Sequence, residues 1–316
     1  MSDSFIDTII RRSRLIMPAN NKKFTEKAFL RNADAIVLDL EDSIPISEKI
    51  ATRELIKDLI PVAGKGGSDV LVRVNNTEDL LKDDLVASIW PGLEAIYLPK
   101  VESAAQVVEV DKILSSLEQE RGIERGKVKI GITIETVKGY IQAREIVQAS
   151  NRIDSVTLGA EDFSVDSGIE LSPFTYQGML VPRMNLLFIA RAFGKLPLGL
   201  MGSIAEFKNG NSFAENARLA YQHGFLGASC IHPSNVEILN TSFSPSVEEI
   251  EYSKKVIDTF ETSVLEGKAA TTLDGKMIDT PHYEKAKKIL KRSEKIKEFE
   301  LKKQRARDSV IRLEAK

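Results

Sequence analysis

The stretch KIGITIETVKGYIQAREIVQASNRIDSVTLGAEDF, residues 129–163, decides how the chain is read. Two apolar runs, Ile130–Ile134 and Ser155–Leu158, each end in acid: Glu135 after the first, Glu161 and Asp162 after the second. Between them, Tyr140–Ala149 has helix-forming composition, so the order is strand, helix, strand. In a parallel βαβ unit both strands point the same way, and their acids emerge at one edge of the sheet. Two carboxylates converging there can hold a hard divalent cation such as Mg²⁺, which takes oxygen ligands and keeps waters that a substrate can displace.

The same alternation extends in both directions. Upstream, Arg14–Met17 is a short apolar run that stops at Pro18, Ala19 and Asn20; Lys22–Leu30 reads as helix and Ala35–Leu40 as a buried strand ending in Glu41 and Asp42. Pro45 and Ser47 mark the start of a helix through Ile60. GKGG at 64–67 is a turn, Asp69–Val74 a strand closing on Asn75, and Leu80–Ile89 an amphipathic segment. Ala95–Leu98 is the next strand, followed by Pro99, Lys100 and a long helix over Ala104–Gln119. Downstream, Tyr176–Phe193 reads as helix with Pro182 at a turn or kink, and Leu198–Met201 as a weak strand. Phe213–Gln222 is a helix, and Gly227–Ile231 is a strand running into His232 and Pro233.

Continuous apolar strands alternating with amphipathic helices imply a parallel sheet covered on its outer face. Eight such units close a (β/α)₈ barrel, the TIM-barrel class, over about 250 residues. A doubly wound open sheet competes, but no Gly-rich dinucleotide loop follows the first strand. The expected organisation is a barrel over residues 1–243 and a C-terminal helical extension or lid over 244–316. In a barrel the chemistry sits at the carboxyl ends of the strands. Those ends carry Asn20; Asp39, Glu41 and Asp42; Arg73 and Asn75; Lys100; Glu135; Glu161 and Asp162; Ser203; and His232. Glu41 and Asp42 read as residues that orient Arg73 or Lys100 rather than as metal ligands. His232, before Pro233, reads as a rim residue, and Cys230 as packed apolar surface.

Composition narrows the function class. Hydrophobic residues at 42% and charged residues at 28% suit a globular protein, and a formal charge of -2 gives no electrostatic case for nucleic acid. A single cysteine, Cys230, allows no disulfide within the chain, which suits a reducing compartment. No apolar run approaches the roughly 20 residues of a membrane helix, and MSDSFIDTIIRRSR lacks the order of a signal peptide, so a cytoplasmic location is expected. Past the barrel, Val247–Glu266 is an amphipathic helix and Asp274-Gly275 a hairpin turn. From Glu284 onward helix formers dominate; the many Glu residues and the lack of interleaved aromatics favour a solvated helix packed on a neighbour over a nucleic-acid arm.

Taken together, the strand ends carry a resemblance. RSRLIMPA at 12–19, VLDLEDS at 37–43, VRVN at 72–75, LPKVE at 98–102, IETVKG at 134–139, LGAEDF at 158–163, CIHPSNVEILN at 230–240 and LDGKMIDTPHYEKA at 273–286 follow in order. Together they resemble the citrate lyase beta-subunit-like family, which includes malyl-CoA and citramalyl-CoA lyases within the HpcH/HpaI aldolase superfamily. The resemblance ends near Leu290. It implies a Mg²⁺-dependent carbon-carbon lyase that cleaves a short 3-hydroxyacyl-CoA thioester, of citramalyl-CoA, malyl-CoA or citryl-CoA type, to a 2-oxo acid and an acyl-CoA. A citrate lyase beta subunit acting on citryl-acyl-carrier protein is one alternative, and a catalytically silent oligomeric scaffold or regulatory protein is another. The implied metal ligands are Glu135 and Asp162. Arg73 and Lys100 are implied in catalysis, with Arg73 contacting substrate. The backbone at Ala160, Glu161 and Asp162 is implied in receiving a carboxylate, with Arg12, Asp39 and Glu41 also at the substrate. Asp279 matches an acid/base residue supplied by the adjacent subunit of a homotrimer or hexamer, with no membrane or nucleic-acid partner.

Overall fold

A computed structural model of the chain describes residues 9–172, 175–205 and 209–314. The amino-terminal stretch read above for a signal sequence therefore lies largely outside the described residues. The chain divides into two compact units. One comprises Arg11–Phe243 with the described part of Lys303–Lys316, the other Ser244–Lys302 with the described part of Met1–Ile10.

The larger unit is the expected (β/α)₈ barrel. Its strands are β1 Ser13–Pro18, β2 Ala35–Asp39, β3 Asp69–Arg73, β4 Ala95–Leu98, β5 Lys129–Ile134, β6 Ile153–Leu158, β7 Leu196–Leu198 and β8 Ala228–Cys230. Neighbours pair in parallel, in the order β7-β6-β5-β4-β3-β2-β1-β8. Two backbone bonds, Leu226 N–H to Pro197 O at 3.0 Å and Gly199 N–H to Gly227 O at 2.9 Å, join the two outer strands. The strands are buried on both faces, which is why they read as unbroken apolar runs. Outward residues such as Leu15, Leu38, Val72, Ile96 and Ile132 belong to one large core with the helices. β5 and β6 slip register between Ile130 and Gly131, so that Asp154 is left between the pairs Ile130–Ile153 and Gly131–Ser155.

Local chemistry accounts for the helix starts. Ser103 and Gln106 form a reciprocal capping box for the helix Ala104–Glu120, and the Thr136 hydroxyl accepts from Gly139 N at 3.0 Å to start Val137–Ile141. Several expected elements differ in detail. Lys22–Leu30 is a short helix, Lys22–Thr25, and a 3₁₀ turn, Ala28–Leu30. Tyr140–Ala149 is two short helices, Val137–Ile141 and Ala143–Gln148. The helix Lys49–Gly64 runs into the residues read as a turn, and the seventh strand lies earlier, at Leu196–Leu198. Two helices, Ala160–Ser167 and Ser234–Ser242, were not expected from the sequence.

In the smaller unit, a capping box of Ser246 and Glu249 opens the helix Val247–Leu265. The hairpin of β9 Thr271–Leu273 and β10 Lys276–Ile278 turns through Asp274 and Gly275, with φ of 49° and 76°. Two successive positive φ values are what a type I′ hairpin requires. Val256, Phe260, Ile278 and Ala286 form its core. The helix Thr280–Glu314 contributes residues to both units. No helix among the described residues is long and apolar enough to cross a membrane.

Candidate active site

The strand ends converge on a cavity of about 150 Å³ whose lining includes Asp42, Arg73, Glu135, Ala160, Glu161 and Asp162. Arg73, the last residue of β3, meets Asp39, the last residue of β2, because the two are register partners. The pairing is bidentate: Nε to Oδ1 at 2.6 Å and NH2 to Oδ2 at 2.7 Å. Such a fork fixes the guanidinium plane. Its NH1 lies 3.0 Å from Glu41 Oε2 and 3.6 Å from Asp42 Oδ2. Burial works to raise the Asp39 carboxyl, but Arg73, Ser43 and the Glu41 amide outweigh it and hold Asp39 below the ordinary range. Arg73 is held firmly in its charged form by the same acids, against the effect of burial.

Lys100 follows β4 and places Nζ 2.7 Å from Glu41 Oε1, 3.4 Å from Asp42 and 3.8 Å from Asp162. Its backbone has φ of 51°, a left-handed conformation uncommon for a side-chain-bearing residue and frequent at functional sites. Despite partial burial, Glu41 and Asp42 raise its pKa, so it stays an ammonium. The loop that presents Glu41 is braced from below: buried Lys49 donates to Leu40 O at 3.0 Å, Glu41 O at 2.8 Å and Asn75 Oδ1 at 2.7 Å. Nothing in the sequence marked Lys49, which reads as an ordinary helix residue.

Glu135 closes β5 and is 6% exposed. Burial first, then the charge of Glu41 and the hydrogen bond and charge of Asp162, push its carboxyl up to about 9, with Lys100 opposing. A Cβ on Gly159 would sit 2.4 Å from Glu135 Cγ, so only glycine leaves room for Glu135 here. Two carboxylates facing each other without a cation between them repel. Glu135 and Asp162 therefore fit a hard metal ion, in the small number of protein ligands that magnesium takes beside water and substrate. No group of three or more His, Cys, Asp or Glu is arranged as a cage among the described residues.

Ala160, Glu161 and Asp162 form the first turn of the helix Ala160–Ser167, where Phe163 N–H makes the first bond back to Gly159 O, at 3.0 Å. The three preceding amides have no partner within the helix and belong to residues that line the same cavity, an arrangement that suits an anionic group. Glu161 accepts from the Ser203 hydroxyl, which separates its role from that of Asp162.

The structure thus brings together Arg73, Lys100, Asp39, Glu41, Glu135, Ala160, Glu161 and Asp162. Arg12 is a correction. It precedes β1 at the amino-terminal end of the barrel, where Nε and NH2 donate to Asp34 at 2.8 and 2.9 Å. A residue before a strand and a residue after it lie at opposite mouths, so Arg12 does not reach the site. Asp279 belongs to the smaller unit, immediately before the helix Thr280–Glu314, with its carboxylate 2.5 Å from the His282 ring. Among the remaining rim residues, Asn20 donates to Glu48 at 2.5 Å and His232 Nδ1 meets Ser234 Oγ at 2.7 Å. Cys230 is buried, which pushes its thiol up to about 12 and leaves it inert as a nucleophile.

The HpcH/HpaI aldolase/citrate lyase profile matches residues 12–233, the span that holds all eight barrel strands and the acids at their carboxyl ends. The chain belongs to that family. Citrate lyase subunit beta of Haemophilus influenzae is 33% identical over 287 residues, covering 90% of this chain and 97% of the relative. A (3S)-malyl-CoA thioesterase of Cereibacter sphaeroides is 31% identical over 292 residues, covering 91% and 96%. Among solved structures, CitE of Mycobacterium tuberculosis in complex with magnesium, acetoacetate and coenzyme A superposes with a TM-score of 0.70 at 26% identity, covering 89% of this chain and 97% of that one.

Proposed function

We propose that the protein is a Mg²⁺-dependent carbon-carbon lyase that cleaves a short 3-hydroxyacyl-CoA thioester to a 2-oxo acid and an acyl-CoA. The observation that carries this reading is the facing pair Glu135 and Asp162 in one cavity with an Arg73 already locked by Asp39. Family membership, and a related structure that holds magnesium and coenzyme A, support it.

Glu135 and Asp162 would hold the ion, which when bound supplies Lewis-acid charge at the oxygens of the hydroxy acid. Arg73 contributes a fixed, planar charge for the carboxylate and the developing carbonyl, with little reorganisation because Asp39 already holds its plane. The amides of Ala160, Glu161 and Asp162 receive the carboxylate from the other side. Lys100, kept as an ammonium by Glu41, adds positive charge and cannot serve as the base.

In the cleavage, the hydroxyl proton passes to a base, the carbon-oxygen bond becomes a carbonyl, and the carbon-carbon electron pair moves to the thioester as an enolate that is then protonated. Asp39 is unsuited to take the proton, because Arg73 occupies it and holds its pKa low. Asp279, supplied by an adjacent subunit of a homotrimer or hexamer, is the proposed base. Glu41, raised by burial, is the candidate within the barrel.

The thioesterase relative favours a second reading, in which water attacks the thioester carbonyl in the same clamp. One experiment separates the readings: the purified protein with Mg²⁺ and a panel of citramalyl-, malyl- and citryl-thioesters, on CoA and on acyl-carrier protein, with and without EDTA. Release of a 2-oxo acid with an intact acyl thioester supports the lyase, and the carrier arm tests the citrate lyase beta-subunit role. Release of free thiol with the hydroxy acid supports hydrolysis. If no thioester is consumed and Glu135→Ala leaves metal binding unchanged, the protein is a scaffold and the catalytic reading falls.

A further inference from the structure

Asn75, at the end of β3, takes no part in the chemistry proposed above, yet it is buried and its amide is fully used. Its Nδ2 donates to Leu40 O at 2.9 Å and to Asp84 Oδ2 at 2.7 Å, while its Oδ1 accepts from Lys49 Nζ at 2.7 Å. Lys49 also holds Leu40 O and Glu41 O, so the two side chains together pin the turn that presents Glu41. Buried Asp84 is fixed in turn by Arg53 Nε at 2.9 Å. The next residue, Asn76, reaches to the other side. Its Nδ2 donates to Pro99 O at 2.8 Å and Lys100 O at 3.1 Å. Those carbonyls belong to the peptides before and after the Lys100 Cα. One amide group therefore fixes both peptide planes, and with them the left-handed backbone of Lys100. A residue with a side chain keeps that conformation only where its surroundings hold it.

The site needs such a device. β3 lies between β2 and β4, which do not pair with each other. Glu41 follows β2 and Lys100 follows β4, yet Lys100 Nζ lies 2.7 Å from Glu41 Oε1. Neighbouring strands are about 4.8 Å apart, so this ion pair joins loops from strands about 10 Å apart. Sheet register does not set it. The last backbone bonds joining the three strands are Leu40 N–H to Arg73 O at 2.9 Å and Val74 N–H to Tyr97 O at 3.2 Å. Past them, the side chains of Asn75 and Asn76 carry the connection from β3 to both loops.

We propose that Asn75 and Asn76 are positioning residues for the lyase reaction, a two-sided brace at the end of β3 that sets the contact between Glu41 and Lys100. This rests on the proposed lyase reading and deepens it. Neither asparagine lines the cavity. Asn75 acts through Glu41, which also meets Arg73 NH1 at 3.0 Å, and Asn76 acts through Lys100. Lysine carries its charge on a flexible stem, so the backbone that aims it decides whether the ammonium stands over the mouth or turns to solvent.

The test is a double-mutant cycle on the full chain with Mg²⁺, using whichever citramalyl-, malyl- or citryl-thioester the wild type cleaves fastest. Asn76→Leu is nearly isosteric and removes only the donors. It should lower kcat about 10–100-fold, the size of effect that misplacing a catalytic group by about 1 Å produces. In a Lys100→Met background the same substitution should change kcat by less than about twofold, because the group it positions is gone. A merely structural role would lower kcat alike in both backgrounds. Asn75→Ala should behave in the same way against Glu41→Gln. Should Asn75→Ala fail to fold, Asn75→Ser, which keeps a donor and an acceptor on a shorter side chain, takes its place. If Asn76→Leu leaves kcat within about twofold of wild type, or if its effect is equal with and without Lys100, the brace is overturned and the lyase reading stands. If the wild type cleaves none of these thioesters, the lyase reading fails and the brace falls with it.

Discussion

At the amino-terminal rim of the barrel, Asp34 accepts from Arg12 Nε at 2.8 Å, Arg12 NH2 at 2.9 Å and Lys303 Nζ at 2.7 Å. Nearby, Arg152 bonds Asp111 at 2.6 Å and Glu118 at 2.7 Å, and Arg11 bonds Asp154. At the carboxyl-terminal rim the same residue types meet in different proportion. Arg73 and Lys100 face Asp39, Glu41, Asp42, Glu135 and Asp162. The consequence is visible in the acids. Burial works to raise Asp34, Asp111 and Glu118, yet their bases win and all three are lowered. At the other rim burial wins for Glu41 and Glu135, which are raised. One rim is saturated and contributes stability; the other is short of positive charge and suited to gaining it from a ligand. Where acids and bases balance, the cluster is structural, and where acids exceed bases, a cation is invited.

The largest expected effect lies at the saturated rim. Asp34→Ala strands two buried cations, and urea unfolding should show a loss of about 3–5 kcal/mol. Its pH dependence has a definite sign. The folded pKa of Asp34 lies below its ordinary value, so this stabilisation is complete above about pH 4 and is lost as pH falls through the folded value. The stability gap between wild type and Asp34→Asn should therefore close in acid.

Glu135→Gln should behave in the opposite way. Without metal, a carboxyl raised from 4.5 to about 9 costs stability as pH rises between those values, so the variant should match or exceed the wild type there, increasingly so with pH. The same variant should lose the thermal stabilisation by Mg²⁺ and, in the proposed reaction, about 10²–10³ in kcat. A stability loss like that of Asp34→Ala would break the contrast between the rims.

Arg73→Lys removes the planar fork but not the charge. Turnover should fall about 10–100-fold while the unfolding midpoint moves little, since a point charge cannot reproduce the bidentate contact with Asp39. Lys303→Met is the smallest effect expected. Asp34 keeps Arg12, so the loss should be about 1–2 kcal/mol by urea unfolding, with no change in metal binding.

Much of the barrel was legible because each strand is buried on both faces and each strand end is polar. Those are local properties, set by burial, and they mark Glu135, Asp162, Arg73 and Lys100 without any knowledge of pairing. The helix Ala160–Ser167 escaped notice because eight residues of mixed polarity have too little periodicity to stand out from a turn. Arg12 was misassigned because a motif does not state which mouth of the barrel its first residue faces. Arg14 differs from it by two positions, yet one pairs with Asp34 at the rim and the other is sealed in the interior.

The sequence by itself determined the alternation of strand and helix, and with it the line of acids and bases at the strand ends, because hydrophobic burial acts on neighbouring residues. Tertiary structure alone decided which charges are matched. Arg73 finds Asp39 through strand register, Lys303 reaches Asp34 across 269 positions of chain, and Glu135 meets Asp162 only once β5 and β6 lie side by side. Coulomb energy depends on distance in space and on the dielectric set by burial, and neither is written in local order along the chain.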